Sequence, residues 1–118
     1  MTEYKKKLSV PLECGLHLFM VVINGKWKIS LIWCIHSGFK RPSELQRKIP
    51  NASRRVLDTQ LNQLMRHGII HKITYNELPL KVEYELTPLG KTLMPVIAST
   101  AQWGEDHREE LEEMIGIL

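Results

Sequence analysis

The feature that most constrains the fold is a change of hydrophobic period at Gly68. Before it, Leu57, Leu61 and Leu64 recur every three or four residues, the spacing of an amphipathic helix. After it, Ile69 to Tyr75 and Val82 to Leu86 alternate apolar with polar, the spacing of strands. Asn76 to Leu80, with Pro79, joins the two strands as a hairpin loop. Ser53 suits an N-cap and Gly68 a C-terminal stop, so a helix over residues 53–67 is expected, feeding directly into a β-hairpin.

Upstream lie three more helical segments. The first starts near Glu13 and carries Leu16, Phe19, Met20 and Ile23; Asn24-Gly25 ends it through left-handed backbone angles. The second, from Lys26 to His36, puts Trp27, Leu31, Cys34 and Ile35 on one face and is expected to be central. Trp27, Trp33 and Phe19 are core candidates, with a second reading as walls of a pocket for an apolar effector. The third, Pro42 to Ile49, starts on a proline that suits a first helical turn. Pro50-Asn51-Ala52 then turns the chain into the helix at 53. After the hairpin, Thr87-Pro88 caps a last helix from Leu89 towards Ile115, with a kink or break expected near Pro95. Two helices joined by a tight turn and followed by a hairpin make a winged helix-turn-helix, mainly α with a β-hairpin wing. A generic helical domain with a β-ribbon has the same periodicities. A length of 118 residues fits one domain: a basic arm over 1–12 and the winged helix over 13–118.

The net charge of +3 conceals an asymmetry. Residues 1–75 hold 13 Lys/Arg against 4 Asp/Glu, a net +9, and residues 76–118 hold 3 against 9, a net −6. A basic body suits a polyanion. On the helix at 53–67, Arg55, Thr59, Asn62 and Arg66 cluster opposite the leucines. Guanidinium pairs with guanine or phosphate and Asn with adenine, so Arg55, Thr59 and Asn62 are candidates for base edges of double-stranded DNA. Ser53 and Arg54 at the helix start, Arg66, and Lys81 on the hairpin are candidates for phosphate. A solvated face, with Lys81 paired to Glu83, is the plainer alternative. A module that binds an acidic protein rather than DNA is the rival from another class.

Other chemistry finds little support. No Gly-rich phosphate loop, nucleophile elbow or nameable carboxylate cleft is present, so no enzyme activity and no cofactor is expected. His67 and His71 are separated by Gly68 and should not share a face, so no metal site is expected. The longest apolar run, Leu18 to Ile23, is too short to span a bilayer, and Met1 to Lys7 leads into no signal-like stretch. Two cysteines, Cys14 and Cys34, cannot form a disulfide framework. A cytoplasmic protein with free thiols is expected.

Four segments in order resemble the HxlR-type transcription regulators: Asn24-Gly25-Lys26-Trp27; Arg41 to Pro50 with Glu44-Leu45 and Ile49-Pro50; Ser53-Arg54-Arg55-Val56-Leu57 with Leu61, Leu64 and Gly68; and Asn76 to Gly90. The resemblance covers Cys14 to Trp103. Leu80 stands where the family usually has a second wing proline, and Asn51-Ala52 replaces a more usual Gly-Ile. The resemblance implies a homodimer on a roughly palindromic operator, with the helix at 53–67 in the major groove. It also implies dimerisation through the first and last helices, which places Leu16, Phe19, Met20, Leu93, Ile97 and Trp103 at the interface; folding of the last helix back onto its own domain competes with this. Several members sense electrophiles or oxidants through a cysteine near Cys14, although Gly15 here follows where proline is usual. A small buried residue is the alternative role for Cys14, and Cys34, among Ile32, Trp33 and Ile35, is expected in the core.

Overall fold

The computed structural model describes residues 14–116; the basic arm, with Glu13, and the last two residues lie outside the described residues. The elements in order are α1 (Gly15–Ile23), α2 (Lys28–His36), α3 (Pro42–Lys48), α4 (Arg54–Arg66), β1 (Ile70–Tyr75), β2 (Lys81–Leu86), α5 (Pro88–Lys91), α6 (Met94–Asp106) and α7 (Arg108–Ile115). Helix, turn, helix and antiparallel hairpin follow one another as the periodicities require. The hairpin pairs Ile70 with Leu86 at its base and Tyr75 with Lys81 at its tip.

The core is built where α2, α3, α4 and the hairpin base meet. Leu31, Ile32 and Ile35 of α2 pack with Leu45, Leu57, Leu61, Leu64, Ile70 and Leu86, all buried. α2 is therefore central, as its all-round apolar character demands. α2 begins at Lys28, two residues later than expected, with Trp27 at its N-cap; the Trp27 amide, which has no acceptor within the helix, donates to Gln60 Oε1 at 2.9 Å. Gly25 is needed here for closeness and not for a left-handed angle. A Cβ on it would lie 3.0 Å from Lys28 Cε and 3.1 Å from Gln60, whereas positive φ occurs at Gly38, Gly68 and Gly116.

The last helix is three pieces. Thr87 Oγ1 accepts the Gly90 amide at 3.0 Å and starts α5. Gly90 lies so close to the end of α4 that a Cβ there would sit 2.1 Å from the Ile69 carbonyl oxygen, so only glycine fits. The break falls at Thr92-Leu93, and Pro95 lies in the first turn of α6, where a missing N–H costs little. The break expected near Pro95 is thus present, just before it. A second, unforeseen break at His107 separates α7 from α6. Arg108 pairs across this break with Glu105 of α6 and, at 2.8 Å, with Glu112 of α7.

Candidate nucleic-acid interface

α4 separates its faces cleanly. Leu57, Leu61 and Leu64 are buried, while Arg55, Thr59, Asn62 and Arg66 are exposed on the opposite side. Ser53 caps the helix, its Oγ accepting the Val56 amide at 3.1 Å, which leaves the hydroxyl proton free to donate outward. The Thr59 hydroxyl donates to the Arg55 carbonyl at 2.9 Å, so its methyl and lone pairs are what it can offer a base. Neither the Arg55 nor the Asn62 side chain has a hydrogen-bond or ion-pair partner among the described residues, so both are free to pair externally. Arg54 is paired with Asp58 at 3.1 Å.

The turn before α4 is held from α3. Gln46 Nε2 donates to the Ala52 carbonyl at 2.7 Å, fixing the angle at which α4 leaves. Behind α4, Lys28 is only 2% exposed and has no carboxylate partner among the described residues. Its ammonium pKa is pushed down by burial first and by Arg66 second. His67 closes α4, with Nδ1 buried and unpartnered. Its pKa is lowered by burial, then by Lys28, then by Arg66. Neither the buried lysine nor this histidine site has a sequence signature, since periodicity places Lys28 on a helix without saying which neighbours cover it.

The wing brings charges together that the sequence keeps apart. Lys81 Nζ lies 3.9 Å from Glu83 and 4.7 Å from the Tyr75 ring centre, so the plainer alternative, an intrastrand ion pair, is present. Arg41 reaches Glu83 at 3.7 Å, and Lys40 reaches Glu85 at 3.7 Å. Arg41, Arg54 and Lys81 border one cleft of about 430 Å³ between the starts of α3 and α4 and the wing, with Glu77 on its edge. The cleft puts Arg41 beside Arg54 and Lys81, two candidates for phosphate. At the wing tip Leu78 and Leu80 are exposed.

Away from this surface, the apolar candidates divide. Leu16 and Met20 on α1 and Trp103 on α6 are exposed, Trp103 by 58% and stacked 4.8 Å from His107. Phe19 and Leu93 are half-buried, and Leu93 packs on the core. Ile97 does not fit the expected interface: it is 4% exposed and belongs to the protomer's own core, because α6 lies against α2. Trp33, expected in the core, is 44% exposed. Trp33, Trp27 and Cys34 line a cavity of about 570 Å³ beside α6, which Phe19 does not reach. Cys14 is exposed at the start of α1, and Cys34 is half-buried with its thiol pKa raised by burial. Both thiols are free. No single helix among the described residues is long and apolar enough to cross a membrane.

Residues 22–112 match the family model described as HxlR-like helix-turn-helix. The chain belongs to that family. It is 40% identical over 112 residues to the HTH-type transcriptional regulator YybR of Bacillus subtilis, a match covering 95% of this chain and 90% of that one. It is also 40% identical to YtcD of the same organism, over 87% of this chain and 79% of the other. Among solved structures, the redox regulator HypR in its reduced form superposes with a TM-score of 0.80 at 39% identity, covering 85% of this chain and 99% of that one. The chain is accordingly a winged-helix DNA-binding transcriptional regulator of the HxlR type, with α4 as the second helix of its helix-turn-helix.

Proposed function

We propose that the protein acts as a homodimer on a pseudo-palindromic operator, with the two α4 helices entering successive major grooves about 34 Å apart. The observation that carries this is the exposed, unpartnered Arg55 and Asn62 opposite the buried leucines of a Ser53-capped helix. Arg55, Thr59 and Asn62 read base edges. Ser53, Arg54 and Arg66 hold phosphates, and so does Lys81, which exchanges Glu83 for DNA. Dimerisation uses Leu16, Phe19 and Met20 of α1 with Leu93 and Trp103 of the C-terminal helices, whose exposed apolar surface calls for protein cover. A mobility shift against the chain's own upstream region, repeated at several ionic strengths, tests the reading. With 6 to 10 phosphate contacts, affinity falls about 10³- to 10⁵-fold between 50 and 200 mM salt. A nearly flat response would refute it.

The likeness to a redox regulator supports a sensing role for Cys14 as well. Its thiol is exposed at a helix start, open to oxidants and electrophiles. An alkylating probe should label Cys14 before Cys34 and change operator affinity. Equal loss of binding by Cys14→Ser and the unsubstituted protein under oxidant would remove Cys14 from the mechanism.

A further inference from the structure

We propose that the cavity between α2, the turn preceding α4, and α6 is an effector site for a small planar aromatic carboxylic acid. Its volume of about 570 Å³ lies in the range of small-molecule sites. Trp27 and Trp33 line it, and Trp33 leaves 44% of its surface uncovered, on the side of α2 away from buried Leu31, Ile32 and Ile35. Indole faces in an open apolar cavity favour a flat aromatic ring.

The charge at the rim selects the acid. Among the described residues, Lys48 is the one charged residue lining the cavity, and no carboxylate lines it. The Lys48 ammonium has no ion pair among the described residues and rests 4.3 Å from the ring centre of Phe39. There it lies on the border with a second cavity lined by Phe39, Glu44, Arg47 and Lys48, from which it would turn to reach a ligand here. The Cys34 thiol, whose ionisation burial disfavours, adds no competing negative charge. Ser30 and Asn51 also line the cavity, and their side chains make no hydrogen bond among the described residues. They can complete the grip on a carboxylate or a neighbouring hydroxyl.

The position gives such a ligand leverage. Pro50 and Asn51 belong to the turn that delivers α4, two residues before its cap. Ile97 and Ala101 belong to α6, which also carries Trp103. One occupant therefore touches both the segment that aims the recognition helix and the helix proposed to join the subunits. A ligand that fits one relative placement of the two better than another shifts their equilibrium. Only this consequence for DNA rests on the proposed operator reading; the binding itself does not.

The probe is 1-naphthoate, with uncharged 1-naphthylmethanol as control, titrated into the full chain without DNA and followed by tryptophan fluorescence. Saturable quenching by naphthoate, about tenfold tighter than by the alcohol, is expected for a single charge-assisted contact. Lys48→Met should erase that preference while keeping the alcohol's affinity. Ala101→Trp should fill the cavity and abolish both. In a Cys14→Ser background, naphthoate should protect Cys34 from maleimide, a readout that needs no filled-cavity variant to fold. Equal affinity for acid and alcohol, or unchanged binding in Ala101→Trp, overturns the proposal. So does the absence of binding combined with dimer loss in Ala101→Trp, which would make the partner subunit the occupant. Where operator binding is established, naphthoate should weaken it about tenfold, and not in Ala101→Trp. A chain that binds naphthoate and no operator would refute the operator reading and leave this site standing.

Discussion

α4 and α6 are both 13 residues long, and they expose opposite kinds of surface. α4 buries three leucines and turns Arg55, Asn62 and Arg66 to water. α6 buries Ile97 alone and turns Val96 and Trp103 to water. The first surface is stable without a partner, because hydrated cations and amides lose little by waiting. The second is costly to leave open, since each exposed large apolar side chain forgoes about 1.5–3 kcal/mol of burial. One helix thus presents a cationic, polar face to water and the other an apolar one.

The largest expected effect tests the line between core and interface on α6. Ile97→Ala should destabilise the protomer by about 3 kcal/mol in urea unfolding, as cavity creation in a core does. A cost that vanished on dilution would return Ile97 to the interface. Next comes Trp103→Ala, expected to raise the dimer dissociation constant about 30-fold, the size of an interface hot spot near 2 kcal/mol. Sedimentation at several concentrations measures this, and a change in protomer unfolding instead would make Trp103 a core residue. On α4, Arg55→Ala should weaken specific binding by about 1–3 kcal/mol and relax preference at one base position. A loss equal on all sequences would reassign Arg55 to phosphate.

The smallest effect concerns pH. The native pKa of His67 is below its ordinary value, so the folded chain binds fewer protons there than the unfolded chain. Its contribution is complete above about pH 6.5, the unfolded value, and is lost as pH falls below that towards the native pKa. Unfolding curves between pH 7 and 5 should show the loss, and His67→Asn should flatten it. An identical slope in the variant would exclude His67 as the group responsible.

Much of α4 was legible because its pattern is local. The leucine period, the Ser53 cap and the Gly68 stop each act within a few residues, and all stand as read. The hairpin was legible for the same reason, to within a residue at each strand start. The C-terminal helices were not. Leu93, Val96, Ile97 and Trp103 form one seam by periodicity, but the seam is shared between two destinations. Which part turns inward depends on the breaks at Thr92-Leu93 and His107, and on how α6 meets α2. Trp33 failed as a core candidate in the same way, because α6 does not cover it.

Within the charge pattern, the net +9 of the first 75 residues includes Arg55, Asn62's neighbour on the reading face. The acidic second part is less remote from that face than the linear sequence suggests, since Glu83 and Glu85 sit against Arg41 and Lys40. By itself the sequence determined the order of elements, the polar face of α4 and the family, because these follow from short-range periods, caps and motifs. The tertiary structure alone decided that Lys28 is buried, that Gly90 must be glycine, that Ile97 belongs to the core, and that two tryptophans and Lys48 share a cavity. Those facts depend on which elements approach one another, a matter of packing between residues distant in the chain.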